Sequence, residues 1–152
     1  MNIEFRKPTS KDGIDISTWK YQGIYSFYNN DKTEAKNQWA LNIDKEDNTF
    51  VIYNKENELI GNCSFEYDDN KYMLGVQMKP QMTGKGMGTE IVKSILDFGR
   101  QRYNFQSIEL LVAKFNKRAI RIYKKLGFYI IDEFIWNVNN EETEFIAMKK
   151  TY

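Results

Sequence analysis

The chain has 152 residues, with 22 Lys or Arg, 21 Asp or Glu and a formal net charge of +1. This length suits a single domain over residues 1–152, and the near neutrality argues against nucleic acid as a partner. The sequence contains no histidine, which excludes Ser-His and Cys-His nucleophile pairs, a histidine general base and histidine metal sites, so we expect no metal.

The sequence also bears on the cellular location. No segment is long and apolar enough to span a membrane, and the N-terminus lacks the apolar centre of a signal peptide. The single cysteine, Cys63, cannot form an internal disulfide, so we expect a cytoplasmic protein without a membrane partner. Because Cys63 alternates with Leu59 and Phe65 in a predicted strand, a core position is favoured over a nucleophile.

Hydrophobic periodicity predicts one α+β order of elements along the chain. The first half is predicted to hold a strand at 3–6, helices at 10–21 and 31–43, and strands at 50–53, 59–67 and 72–79. A capping box from Asp31 to Glu34 is expected to open the second helix. The second half is predicted to hold a glycine loop at 80–89, a helix to 103, a strand at 107–113, a helix after Asn116, and a hairpin of 128–136 with 144–149.

The glycine loop is the most informative segment. Gly84, Gly86 and Gly88 stand between an apolar strand and a helix whose apolar residues share one face, namely Ile91, Val92, Ile95, Leu96 and Gly99. A glycine turn at a helix start exposes backbone N–H groups near the positive end of the helix dipole, which predicts an anion cradle; a flexible turn is the alternative. Thr89 stands where a dinucleotide fingerprint needs its third glycine, and the spacing of a P-loop is also absent.

A second segment predicts a well-delimited helix. Asn116 is a plausible N-cap and Gly127 a C-cap, and between them runs an apolar stripe of Ala119, Ile122, Tyr123 and Leu126. By residue type alone, Tyr123 would be a core aromatic on that stripe.

Two spacings together resemble a known family. Gln-x-x-Gly-x-Gly occurs at Gln81, Gly84 and Gly86, and Asn-x-x-Ala-x-x-x-Tyr-x-x-x-Gly-Phe runs from Asn116 to Phe128. Both are similar to signatures of the GNAT superfamily of N-acyltransferases, and the order of elements agrees. The resemblance implies the GNAT acyl-CoA N-acyltransferase fold, a mixed seven-stranded sheet with about four helices. In it, the parallel strands ending at 79 and starting at 107 splay apart around coenzyme A.

The resemblance also implies an activity and roles for individual residues. It implies an N-acetyltransferase that moves an acetyl group from acetyl-CoA to a primary amine, of a small molecule or a protein N-terminus, by direct attack in a ternary complex. The Met78 amide would polarise the thioester carbonyl, Asn116 would line the pantetheine and take part in catalysis, and Tyr123 would protonate the departing thiolate. The pyrophosphate would be held by backbone amides of the loop, among them those of Thr83, Gly84, Lys85, Gly86, Gly88 and Thr89.

The chain departs from the family pattern in its charged residues. Thr83 stands where an arginine is frequent, and Lys85, Lys117 and Arg118 either compensate or are solvated surface cations. The strand before the loop carries Gln77 where many members carry a glutamate base.

The sequence therefore leaves the identity of the general base open. Glu66 and Glu109 on neighbouring strands are candidates, each with an exposed strand position as the alternative. Without a strong base, α-amines are expected to react better than lysine-like ε-amines.

The segment from Trp19 to Tyr28 occupies the place of the family's acceptor loop. Its aromatics, including Tyr25 and Tyr28, predict either an aromatic-walled amine pocket or a loop that packs on the core. A noncatalytic CoA-binding sensor or protein-interaction module is the alternative function, and a nucleic-acid binder built on 117–125 is disfavoured by overall neutrality. The sequence leaves the oligomeric state open, a homodimer included.

Overall fold

A computed structural model describes residues 2–138 and 140–152. Within these residues the strands are β1 (Ile3–Arg6), β2 (Thr49–Asn54), β3 (Leu59–Asp68), β4 (Lys71–Met78), β5 (Ser107–Ala113), β6 (Tyr129–Val138) and β7 (Glu141–Thr151). The α-helices are α1 (Ser10–Ser17), α2 (Glu34–Leu41), α3 (Gly88–Tyr103) and α4 (Lys117–Lys125). Short 3-10 helices cover Gly23–Tyr28, Ile43–Lys45 and Pro80–Met82.

The strands form a seven-stranded sheet in the order β1-β2-β3-β4-β5-β7-β6. Strand β4 runs parallel to β5, with Met73 opposite Glu109, whereas the pairs β1 with β2, β2 with β3, β5 with β7 and β6 with β7 are antiparallel. The mixed sheet, its parallel pair and the helices confirm the predicted fold class. The predicted bounds of β1 and β5 match at both ends, while β7 extends beyond both of its predicted bounds and β6 beyond its C-terminal bound only.

Backbone contacts divide the chain into two compact units. The first unit holds the residues through Ser64 together with Val76–Thr83, and the second holds Phe65–Gly75 and Gly84–Tyr152. The expectation of one domain over residues 1–152 stays a prediction. No helix of the described residues combines the length and apolar character needed to cross a membrane.

The first unit is built around a buried cluster on α1, α2, β2, β3 and the segments that follow the two helices. Its members are Ile16, Trp19, Ala40, Ile43, Val51 and Leu59, with Tyr21, Trp39 and Tyr53 packed against it. Cys63 is 1% exposed, which confirms the predicted core position. Burial also raises the pKa of the Cys63 thiol, so the reactive thiolate is disfavoured.

The helix ends of the first unit differ from the sequence prediction. Helix α1 was expected to reach residue 21 but ends at Ser17. The Trp19 N–H donates to the Ile16 carbonyl over 3.1 Å, and the side-chain amide of Asn30 donates to the same oxygen over 3.0 Å. These bonds take the acceptor that another helical turn would use, so the helix stops there.

The predicted capping box at Asp31 and Glu34 is wrong. The Asp31 carboxylate pairs with Lys20 instead, and Thr33 caps α2 by accepting from the Lys36 N–H over 3.1 Å. A capping box does occur in α1, where Thr9 and the buried Asp12 bond each other reciprocally.

The second unit is organised by the apolar face of α3. The five residues predicted to share that face are all buried, namely Ile91, Val92, Ile95, Leu96 and Gly99. The fully buried ring of Phe65 lies so close to Gly99 that a side chain there would overlap it. The same ring packs against Tyr103 and Phe105, with centroid distances of 5.2 and 6.3 Å.

Candidate active site

The glycine loop contains two residues that adopt a left-handed backbone. The φ angles of Gly84 and Gly86 are +72° and +76°, a region that residues with a side chain rarely occupy. A Cβ atom built on Gly86 would meet no atom within 4 Å. Glycine is therefore required at position 86 by the backbone conformation rather than by packing, and the backbone there can be approached closely.

The N-terminus of α3 presents amides that lie outside the helical hydrogen bonds and have no side-chain cap. The first helical bond runs from the Ile91 N–H to the Met87 carbonyl over 3.1 Å, so the amides from Gly88 to Glu90 precede it. The N-cap residue is Met87, which provides no capping side chain. The other described α-helices are capped by Thr9, Thr33 and Asn116. An anion at the start of α3 would meet these amides and the positive end of the helix dipole.

The Thr83 amide, predicted to bind the pyrophosphate, has an acceptor within the protein. It donates to the Pro80 carbonyl over 3.2 Å, and the Thr83 hydroxyl donates to the same oxygen over 2.7 Å. Both bonds close the 3-10 turn that follows β4. The Thr83 amide thus has a structural bond in this turn, and its contact with the pyrophosphate stays a prediction.

The loop lies directly against α4. A Cβ atom built on Gly88 would come to 2.5 Å from Ile122 Cδ1, so this glycine permits close packing of the two helices. A Cβ atom on Gly84 would lie 3.1 Å from Nη1 of Arg118. Arg118 is half-buried beside the loop, whereas Lys117 is exposed. Of Lys117 and Arg118, the structure brings Arg118 to the loop, and a guanidinium is well suited to phosphate oxygens.

Helix α4 has the predicted N-cap, Asn116, while its C-cap is Leu126 and the predicted cap Gly127 follows in a left-handed conformation. Asn116 Oδ1 accepts from the Ala119 N–H over 3.2 Å, and Gly127 has φ +100°. The half-buried Tyr123 packs edge-on against Phe128, with 5.6 Å between ring centroids. Asn116 therefore has a structural role in capping the helix, and the catalytic roles of Asn116 and Tyr123 stay predictions.

Met78 ends β4 with its carbonyl turned away from β3. The neighbouring Lys79 N–H donates to the Ile60 carbonyl of β3 over 2.8 Å. The Met78 C=O and the Lys79 N–H belong to one trans peptide, so they point to opposite edges of the strand. The Met78 carbonyl accepts from the hydroxyl of Tyr21 over 2.5 Å. Sequence reasoning did not single out Tyr21, because no spacing signals a contact between residues so far apart in the chain.

The candidate bases do not lie at the end of β4. Glu66 is exposed, which agrees with the exposed strand position given above as its alternative. Glu109 is opposite Met73 and forms an ion pair with Lys71 at 3.7 Å. Met73 precedes Met78 by five residues, which is roughly 16 Å along an extended strand. Among the residues that the structure describes, no group of three or more Cys, Asp or Glu side chains is placed to hold a metal ion.

The aromatic side chains of the predicted acceptor segment, residues 19–28, lie partly in the core and partly at the surface. Trp19 is 3% exposed and Tyr21 packs on the buried cluster of the first unit. Tyr25 and Tyr28 lie on the 3-10 helix Gly23–Tyr28 and are half-buried. The core-packing alternative therefore holds for Trp19 and Tyr21, while Tyr25 and Tyr28 keep part of their surface open to solvent.

Comparison with known proteins places this geometry in a family. The family model described as an acetyltransferase (GNAT) domain matches residues 2–129. Spermidine N(1)-acetyltransferase from Escherichia coli (strain K12) is 38% identical over 58 residues, which are 38% of this chain and 31% of that protein. The match thus spans about a third of that relative's length.

Solved structures show the same fold. The acetyltransferase (GNAT family) from Bacillus anthracis has a TM-score of 0.81 at 18% identity, covering 99% of this chain and 95% of that one. The spermidine/spermine N-acetyltransferase SpeG from Vibrio cholerae has a TM-score of 0.73 at 19% identity, covering 99% of this chain and 92% of that one. At these identities the likeness concerns the fold alone.

The cradle can be tested by placing a charge on Gly86. Gly86→Asp adds a carboxylate beside the exposed amides, so it should abolish measurable binding of CoA, a loss of at least about 100-fold by calorimetry. Gly23→Asp is the matched control, because Gly23 also has a positive φ (+61°) and open surroundings but lies in the acceptor segment. Wild-type CoA affinity in a folded Gly86→Asp protein would contradict the cradle.

Proposed function

Because the chain belongs to the GNAT family, we propose that it is an acetyltransferase that moves an acetyl group from acetyl-CoA to the primary amine of a small molecule, by direct attack in a ternary complex. The observation that carries this proposal is the glycine cradle packed on α4. Gly84 lies beside Arg118 and Gly88 against Ile122, the residue before Tyr123. The proposed anion-binding loop and the helix of the proposed acid thus belong to one packed unit.

The residues of the loop suit the pyrophosphate of coenzyme A. The amides from Gly84 to Thr89 and the Arg118 guanidinium would hold its oxygens through charge-assisted hydrogen bonds. Any side chain at Gly86 would enter the open space beside these donors. When bound, acetyl-CoA supplies the acetyl group as a thioester.

Three further residues are assigned roles in the transfer. The Met78 N–H, on the strand edge away from β3, would polarise the thioester carbonyl. Tyr123 would donate its phenolic proton to the leaving thiolate; the reference pKa values of a phenol and a thiol, near 10 and 8.5, make that transfer inexpensive at short range. Asn116 would line the pantetheine while its Oδ1 caps α4.

The proposed acceptor is an amine that loses its proton easily. The end of β4 carries Gln77 rather than a carboxylate, and Glu109 is paired with Lys71. A neutral amine must therefore form without a strong base, which favours α-amines with pKa near 8 over amines with pKa near 10.4.

The composition of the acceptor segment supports an acceptor of low charge. The Escherichia coli relative is named for spermidine, a polyamine, and a polycation is best matched by carboxylates. Residues 19–28 contain Lys20 and no Asp or Glu. The rings of Tyr25 and Tyr28 instead suit an apolar or singly charged amine.

A panel of amines tests the activity, followed as free thiol released from acetyl-CoA between pH 7 and 9. We expect a dipeptide or amino-acid amide to react faster than Nα-acetyl-lysine or spermidine, with rates that rise toward pH 8 to 9 as the amine loses its proton. A faster reaction with spermidine would overturn the acceptor assignment but not the transfer. Acetyl-CoA binding without turnover on any amine would favour the noncatalytic sensor.

The acceptor segment is tested separately through Tyr25→Ala and Tyr28→Ala. Each change should raise the KM for the amine several-fold and leave the KM for acetyl-CoA nearly unchanged, because these rings are assigned to the amine. Tyr67→Ala, at an exposed tyrosine of β3, is the control and should change neither constant. A raised KM for acetyl-CoA in the Tyr25 or Tyr28 variant would contradict the assignment.

Tyr123→Phe tests the proposed acid. The change keeps the ring against Phe128 and removes the proton, so turnover should fall by roughly 100-fold while CoA affinity stays the same. Tyr103→Phe provides the control, since Tyr103 is a half-buried helix tyrosine of the same unit with no assigned role in transfer. Full turnover in Tyr123→Phe would mean that another group protonates the thiolate.

A further inference from the structure

The contact between Tyr21 and Met78 lies on the edge of β4 that faces away from β3. The Tyr21 hydroxyl donates to the Met78 carbonyl over 2.5 Å, while the opposite edge of the strand is bonded to β3 through Lys79 and Ile60. In an extended strand a residue's N–H points to the same edge as its own C=O. The Met78 N–H therefore shares its edge with the Tyr21 hydroxyl.

Tyr21 is held in place independently of this bond. Its backbone N–H donates to Asn29 Oδ1 over 2.7 Å, and its ring packs on the buried cluster of the first unit. The neighbouring Asn30, 3% exposed, bonds the carbonyl at the end of α1 over 3.0 Å. The hydroxyl is thus presented to β4 from a fixed backbone.

A polar chain orients the Tyr21 hydroxyl. The buried Asn62 donates from Nδ2 to Gln77 Oε1 over 3.1 Å, which leaves the Gln77 amino group as a donor. Burial raises the pKa of the Tyr21 phenol above its usual range, and the hydrogen bond with Gln77 opposes that shift. The hydroxyl therefore stays protonated at neutral pH and keeps its proton for Met78.

We propose that Tyr21 is a positioning residue for acetyl transfer, which fixes the last peptide of β4 so that the Met78 N–H meets the thioester carbonyl. Gln77 and Asn62 support it by directing the Tyr21 hydroxyl toward Met78. This inference rests on the proposed function, since it assigns Tyr21 to the reaction through Met78. In this chain Gln77 thus has an orienting role at the end of β4.

The experiment measures how strongly the bound thioester carbonyl is polarised. Isotope-edited infrared spectra of acetyl-CoA labelled with carbon-13 at the carbonyl are recorded free and bound to the wild type. The carbonyl stretch should move to lower frequency on binding, and by clearly less in Tyr21→Phe. The kcat of that variant should fall about 2- to 10-fold, as expected for one lost hydrogen bond. Its affinity for CoA, which has no acetyl carbonyl, should stay unchanged.

Tyr53→Phe is the matched control. Tyr53 packs on the same buried cluster, and its hydroxyl donates to Asp12 rather than to β4. The control also removes one tyrosine hydrogen bond, yet it should leave the carbonyl stretch and kcat at the wild-type values. Gln77→Met, which keeps the side-chain length and removes the amide, should shift both quantities in the same direction as Tyr21→Phe but by less.

The outcomes separate this inference from the function on which it rests. A wild-type stretch and kcat in Tyr21→Phe would overturn the positioning role and leave acetyl transfer intact. A loss of CoA affinity in Tyr21→Phe but not in Tyr53→Phe would also overturn it, since the role would then be structural. Absence of turnover in the wild type would overturn the proposed function itself.

Discussion

The last backbone bond of β4 sets the geometry of the candidate site. The Lys79 N–H donates to the Ile60 carbonyl, and the next residue, Pro80, has no N–H with which to continue the ladder. The chain must therefore leave the sheet at this point. The same bond turns both polar groups of Met78 to the other edge of the strand. Gly61 assists, because a side chain there would come within 2.8 Å of the Gln77 carbonyl oxygen. One strand end thus determines where the loop begins and which backbone groups it leaves available.

The three glycines of the loop are required for different structural reasons, although they look equivalent in the sequence. Gly84 and Gly86 are needed for their left-handed backbone, and Gly88 for its closeness to Ile122. The first two shape the loop, while the third fixes it on α4. An anion-binding turn is useful only if its amides are held still, because each flexible donor must be ordered when the ligand binds. Packing at Gly88 provides that order without using any of the amides.

The parts of the structure that could be predicted from sequence are those with local causes. Asn116 and Gly127 delimit α4 because each satisfies backbone groups within its own turn, and the buried face of α3 follows from its 3.6-residue period. The errors occur where a distant residue competes for a local role. Asp31 could cap α2, but Lys20 takes its carboxylate and Thr33 caps the helix instead. Tyr21 is the strongest case, since its contact with Met78 spans 57 residues and depends on where α1 ends.

The side-chain amide of Gln77 stands where a carboxylate base was expected, and it also affects the geometry of Met78. A glutamine both accepts and donates, so Gln77 can accept from Asn62 and still donate toward Tyr21, which leaves the Tyr21 proton for the Met78 carbonyl. A glutamate in its ionised form only accepts. Placed at this position it would compete with Met78 for the Tyr21 proton. A carboxylate base and a hydroxyl directed at Met78 are therefore alternatives at this strand. The chain has the second, which agrees with the proposed preference for amines that need little help in losing a proton.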